Sequence, residues 1–252
     1  SILKAKVELF WFGGIGTYVR GDHESNADVG DRGNDAIRVT SSEFGARVVG
    51  EGANLGVTQD ARVDFALRGG RINTDFIDNS AGVNSSDQEV NIKIALAPAV
   101  ASGRLDMEAR NVLLVQMTED IASACLVNNY EQTLALSLAE RRGPEGMADA
   151  LHLIHDLEKR DLLDRDLENL PSDALLKERR EGGLGLMRPE LAILMSYAKI
   201  ALSYDLNSST VPDDPAVSGE LDAYFPGALR ESYAEFIAAH PLKREIVTTR
   251  LS

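Results

Sequence analysis

The rhythm of the apolar residues changes once, near residue 86, and that change limits what the chain can fold into more than any other feature. Before it, short β-rich runs alternate with Gly- and Asn-rich turns and helical stretches, the pattern of βαβ units. After it the β signals stop and apolar residues recur at three- and four-residue steps, the stripe of amphipathic helices. The pattern divides the chain into an α/β part over residues 1–85 and an all-α part over residues 86–252.

Within the first part, Val7-Glu8-Leu9-Phe10-Trp11-Phe12 reads as a strand that stops at Gly13-Gly14-Ile15-Gly16. Asp28 to Val39 is a candidate helix, and Arg47-Val48-Val49-Gly50 a second strand. The next helix should begin at Thr58, an N-cap residue type, and end at Gly69-Gly70. Ile72 to Ile77 reads as a third strand, leading into Asp78-Asn79-Ser80-Ala81-Gly82. In the second part, Leu114, Met117, Ile121 and Cys125 form one stripe and Leu191, Leu194, Met195, Ala198 and Leu202 another. Pro189 opens the latter helix, where its missing N–H costs nothing. Breaks at Gly143-Pro144, Pro171-Ser172, Gly182-Gly183 and Pro212 to Pro215 predict five to seven helices.

If the three strands run parallel, as helical crossovers require, their C-terminal ends share one sheet edge. That edge is where open α/β sheets bind ligands. The loops at Gly13, Gly14, Asn54 and Asn79 then border one crevice. Glycine lets a backbone approach a ligand closely, and each asparagine amide offers two N–H donors and an acceptor, a match for an amide-bearing ring such as nicotinamide. Local explanations stand beside these. Glycines after a strand often only make the turn, Gly-Gly-Ile-Gly is not the full dinucleotide fingerprint, and turn asparagines often serve their own backbone. Ser86-Asp87-Gln88-Glu89 has the form of a capping box at a helix start. The same helix start would also suit a substrate carboxylate.

With a net charge of -14 the chain repels a phosphate backbone, so nucleic acid is excluded as a partner class. No apolar run is long enough for a membrane span and no export signal is present at the N-terminus, so no membrane partner is expected. One cysteine, Cys125, leaves no internal disulfide, which fits a reducing, cytoplasmic setting. His152 and His155 are expected in solvent-exposed or capping roles, and no metal site is assigned.

Gly50-Glu51-Gly52-Ala53-Asn54, followed by Asp78-Asn79-Ser80-Ala81-Gly82-Val83 and then Ser86 and Glu89, resembles the glutamate dehydrogenase superfamily. Gly13 to Val19, Ala27 to Arg32, Ile72 to Asn79, Asn128-Asn129-Tyr130 and Arg188-Pro189-Glu190-Leu191-Ala192 look like its large, NAD-specific bacterial branch. The resemblance implies that residues 1–85 are the C-terminal half of a Rossmann-like NAD-binding domain and residues 86–252 a helical C-terminal domain. It implies oxidation of L-glutamate to 2-oxoglutarate and ammonia, with NAD taking the hydride. Asn54 would lie beside the nicotinamide ribose, Asn79 near the carboxamide, and Ser86 at the substrate's side-chain carboxylate. The family's catalytic lysine and aspartate are expected upstream of Ser1, so no catalytic residue is assigned here. The expected partners are the remainder of the same polypeptide and further copies in a homo-oligomer. Smaller relatives carry Gly-Pro-Thr-Thr-Pro after the first asparagine, whereas this chain has Leu55-Gly56-Val57-Thr58-Gln59. The competing reading is a non-enzymatic helical assembly module or a regulatory nucleotide-binding domain.

Overall fold

A computed structural model describes residues 2–252. In chain order its elements are β1 (Val7–Phe12), β2 (Val19–Arg20), α1 (Asn26–Val29), β3 (Val39–Thr40), β4 (Ala46–Glu51), α2 (Gln59–Leu67), β5 (Arg71–Ile72) and α3 (Asp75–Asp78). There follow α4 (Ser80–Ala101), α5 (Met107–Gln116), α6 (Thr118–Arg142), α7 (Met147–Lys159), α8 (Asp173–Glu181), α9 (Arg188–Asn207), α10 (Ser218–Tyr224), α11 (Gly227–Ser232), α12 (Ala234–Ala238) and α13 (Lys243–Leu251). The chain is thus α/β followed by helices. Two compact units arise from it, each discontinuous in sequence. One holds the residues up to Ser80 together with Asn129–Ala198, the other Ala81–Asn128 together with Lys199–Ser252.

In the first unit β1, β4 and β5 form a parallel sheet in that order. Phe12, Val49, Phe65 and Ile72 bury one face with Phe44, where the rings of Phe10, Phe12, Phe44 and Phe65 pack edge-on or tilted. The β4-to-β5 crossover is helical. Its helix α2 starts as its sequence dictates, with the Thr58 side chain accepting the Ala61 N–H, and stops before Gly69, whose φ is +86°. The β1-to-β4 crossover differs from expectation. Asp28 to Val39 is not one helix: α1 ends at Gly30, a 3-10 turn spans Arg32–Asn34, and β2 pairs with β3 in a second, two-stranded parallel sheet. Gly30, at φ +74°, closes α1 as a left-handed C-cap, a conformation glycine adopts without the Cβ clash.

The third strand is shorter than its β-branched residues suggest. β5 ends at Ile72, and Thr74 becomes the N-cap position of the single-turn helix α3. The Asp75 carboxylate accepts the Phe76 N–H, a local side-chain bond that competes with extended pairing. Around α3 the same unit packs Ile77 against Leu136 and Ala192.

The helical count from Ser86 onward also exceeds the expected five to seven: α4 to α13 make ten among the described residues. The excess comes from pieces such as α11 and α12, six and five residues long, too short to show a periodic stripe. The stripe through Leu114, Met117, Ile121 and Cys125 runs over two helices rather than one, because α5 ends at a buried Met117 before α6 begins. Pro189 does fall in the first turn of α9. In the second unit Ile92, Leu96, Met117, Phe225, Leu229, Ile237 and Ile246 form the core. No helix of the described residues is long and apolar enough to cross a membrane.

Candidate functional site

Parallel pairing sets Phe12 opposite Glu51, so β1 and β4 end flush and the chain leaves both at one edge. The loops that follow are bonded to one another. The Ala53 N–H donates to the Phe12 carbonyl at 3.1 Å, bringing the Asn54 loop beside Gly13. The Glu51 N–H donates to Asp78 Oδ2 at 2.9 Å, and the Leu55 N–H to Asp75 Oδ2 at 2.8 Å, which ties the same loop to α3. Asn79, the C-cap of α3, donates from its Nδ2 to Asn54 Oδ1. Three of the loops read from sequence therefore meet, and the two asparagines touch.

Beneath the loops lies a buried ionic network. Glu51 is fully buried; its carboxylate accepts Arg62 Nε at 2.8 Å, Arg62 Nη2 at 2.9 Å and the Val57 N–H at 3.1 Å. Burial pushes the Glu51 carboxyl above its ordinary value against the opposing pull of Arg62. Arg62 is itself buried, yet its hydrogen bonds to Glu51 and the charges of Glu51, Asp75 and Asp78 outweigh that desolvation and hold its guanidinium charged. Burial likewise raises Asp78, which accepts Asn73 Nδ2 at 2.6 Å. These charges hold one another and the loop backbones, not solvent.

Two motifs far along the chain support the same place. Asn129, on α6, donates from its Nδ2 to the Ile77 carbonyl at 2.9 Å and to Ser80 Oγ at 3.1 Å. Arg188, at the start of α9, donates to Asn73 Oδ1 at 2.5 Å, Ser137 Oγ at 3.0 Å and the Thr133 carbonyl at 3.0 Å. Neither Arg62 nor Asp75 was singled out from sequence. The local signal would have been a charged residue on the inner stripe of α2, at the step of Ala61 and Phe65.

The glycines play mixed parts. Gly13 and Gly14 follow β1 and are exposed, with open space beyond the Gly14 Cα. They rim a cavity of about 790 Å³ together with Trp11, Tyr18, Ile37 and Arg38, which Asn54 and Asn79 do not line. Gly50 and Gly52 serve Trp11: a Cβ on either would lie 2.4 or 2.7 Å from its indole ring. Close approach there is to a side chain of the same chain.

Ser86 requires a correction. α4 begins at Ser80, directly after Asn79, so Ser86 lies inside the helix and caps nothing. A one-residue joint after α3 lets the new helix start six residues earlier than the local box suggests, and Glu89 turns instead to Lys93 one turn on. The free N–H groups of the helix start belong to the first turn after Asn79. Ser86 keeps an exposed hydroxyl on α4 and belongs to the second unit.

The donor set at the rim suits the amide side of a nicotinamide. Once Asn79 Nδ2 bonds Asn54 Oδ1, the Asn54 Nδ2 group and Asn79 Oδ1 have no partner among the described residues. One donor and one acceptor side by side complement a primary carboxamide. A pyrophosphate cradle is another matter. No helix opens directly on Gly13 to Gly16, since α1 begins only at Asn26, and a helix N-terminus is what such a cradle uses. Among the described residues no cluster of His, Cys, Asp and Glu is arranged to hold a metal. His152 and His155 are exposed, the latter 2.9 Å from Asp173.

Fold and rim together define the class: an α/β chain whose parallel strands deliver amide- and glycine-bearing loops to one sheet edge. Residues 1–139 match the family described as bacterial NAD-glutamate dehydrogenase, catalytic domain, and residues 183–252 match glutamate dehydrogenase, C-terminal. The chain belongs to the bacterial NAD-glutamate dehydrogenase family. It is 52% identical over its whole length to an NAD-specific glutamate dehydrogenase of Pseudomonas aeruginosa, and 48% and 44% identical to proteins of that name from Halomonas elongata and Mycobacterium tuberculosis. It spans 16% of the length of each of these relatives.

Proposed function

We propose that this chain forms part of the nicotinamide and substrate walls of an NAD-dependent glutamate dehydrogenase that converts L-glutamate to 2-oxoglutarate and ammonia. In sequence, residues 1–85 supply the back half of a Rossmann-like NAD-binding domain and residues 86–252 a helical C-terminal region, of which Asn129–Ala198 share a compact unit with the sheet. The observation that carries this reading is the bonded Asn54–Asn79 pair at the C-terminal edge of a parallel sheet. NAD, when bound, supplies the hydride acceptor. Asn54 lies beside its nicotinamide ribose and Asn79 near its carboxamide, the bonded pair turning one donor and one acceptor toward that end, and Gly13 and Gly14 let the backbone approach the cofactor. For Ser86 the family resemblance alone implies that its hydroxyl donates to the substrate's distal carboxylate.

The chain supplies walls rather than the acid and base that hydride transfer and imine hydrolysis require. No lysine lies between Val7 and Gly82. The carboxylates nearest the asparagines, Asp75 and Asp78, are committed to the Leu55 and Glu51 N–H groups. The reacting partners therefore come from the remainder of the polypeptide, and a homo-oligomer in the cytoplasm is the expected working form. The test is Asn79→Ala in the full-length enzyme. Loss of one amide contact to the cofactor should raise KM for NAD about tenfold, the kinetic equivalent of one hydrogen bond, with unchanged oligomer size. Normal kinetics with an altered oligomer would favour a helical assembly module instead.

A further inference from the structure

One residue holds both asparagines of the rim. Asp75 opens α3 with its side chain only 11% exposed. Its Oδ2 accepts the N–H of Leu55, the residue after Asn54, at 2.8 Å. Its backbone carbonyl accepts the Asn79 N–H at 2.9 Å. Oδ1 accepts the Phe76 N–H at 2.9 Å and lies 3.4 Å from Arg62 Nη2, so the carboxylate itself is fixed from two sides.

The turn it holds does not hold itself. Leu55 has φ +60°, the left-handed region that disfavours a residue with a Cβ. The residue is 62% exposed, so little packing compensates. Without the Asp75 bond the turn has reason to relax toward negative φ, and Asn54, one residue earlier, turns with it. The Asn79 amide would then lose its partner, and the paired donor and acceptor would separate.

We propose that Asp75 is the positioning residue of the rim, setting the spacing at which the Asn54 and Asn79 amides meet a carboxamide-bearing cofactor. The proposal rests on the cofactor-wall reading above. It predicts more than a loss of stability, because a displaced amide pair should discriminate poorly between cofactors that differ only in the carboxamide.

The experiment compares Asp75→Ala, Asp75→Asn and Asn54→Ala in the full-length enzyme with glutamate, using NAD and its 3-acetylpyridine analogue, which keeps the carbonyl but has no N–H donor. Melting temperatures are recorded alongside. Asp75→Ala should raise KM for NAD about tenfold or more, and shrink the preference for NAD over the analogue in kcat/KM by a similar factor. Asp75→Asn, whose amide oxygen can still accept the Leu55 N–H, should restore part of both. If the alanine variant does not fold, the asparagine variant carries the test through its intermediate shift in preference. A fall in melting temperature with an unshifted preference would make Asp75 purely structural and overturn the proposal. An effect of Asn54→Ala unmatched by either Asp75 variant overturns the positioning role alone. No effect of Asn54→Ala on KM or on preference removes the cofactor-wall reading, and the positioning role with it.

Discussion

Replacing Arg62 with methionine isolates the cost of the buried ion pair under the rim. Methionine matches the helix propensity and much of the stem length of arginine, so α2 itself should persist. The change removes the two bonds from Nε and Nη2 to Glu51, leaving that fully buried carboxylate only the Val57 N–H. Two bonds to a charged group at about 1.5–3 kcal/mol each suggest a loss of roughly 3–6 kcal/mol, which overlaps the ~3–5 kcal/mol typical of breaking a buried pair. The loss should depend on pH. The folded-state pKa of Glu51 is already raised by burial, and removing Arg62 raises it further. A carboxyl raised in this way penalises the fold when ionised, so the penalty is present above its folded pKa and relieved as pH falls through it. Urea unfolding of the chain, followed by the fluorescence of Trp11, the single tryptophan, reads the β1–β4 region directly. The Arg62→Met deficit should be several kcal/mol at pH 7.5, smaller at pH 5.5, and largely recovered by adding Glu51→Gln. A deficit below about 1 kcal/mol, or one that neither acid nor the second substitution reduces, would refute the reasoning.

Three further outcomes follow from particular contacts. His240 is buried, accepts the Leu242 N–H on Nδ1 at 3.0 Å and donates from Nε2 to the Asn91 carbonyl at 3.1 Å, and burial holds its pKa below 6.5. Its fold favours the neutral ring, so stability is complete above the unfolded value and declines as pH falls below it; His240→Gln should flatten the fall of melting temperature between pH 6.5 and 5. Gly52→Ala should displace the Trp11 indole, which the new Cβ would meet at 2.7 Å, costing about 1–3 kcal/mol and shifting the emission to the red; an unshifted spectrum contradicts the contact. Asn129→Ala frees the Ile77 carbonyl and should cost about 1–3 kcal/mol in urea titration, with a cost near zero showing that water replaces the amide.

Short-range features of this chain are legible in its sequence. The β-rich run Val7 to Phe12, stopped by glycines, marked β1, and Thr58 announced α2 because an N-cap bonds an N–H only three residues on. The parallel sense of the sheet, and with it the common edge for Gly13, Asn54 and Asn79, followed from the crossovers, since parallel neighbours cannot be joined by a tight hairpin. Local chemistry misled where a longer-range contact competed with it. Ile72 to Ile77 has strand composition, but α3 is fixed by the bond from Leu55 and by Ile77 packing on Leu136 and Ala192, twenty to more than a hundred residues away in sequence. Ser86 to Glu89 has the letters of a cap, but a box closes only where a helix begins, and α4 begins at Ser80.

What the sequence alone determined is the class of fold, the strand edge to which the loops go and the residue types they carry, because period, capping and crossover handedness act over a few residues at a time. What only the tertiary structure decided is which polar groups meet there. The Glu51–Arg62 pair, the reach of the Asp75 carboxylate to Leu55, and the braces from Asn129 and Arg188 join residues from separate elements. Burial makes each such encounter obligatory, since a polar group taken out of water must find its partner in whatever the fold brings near it.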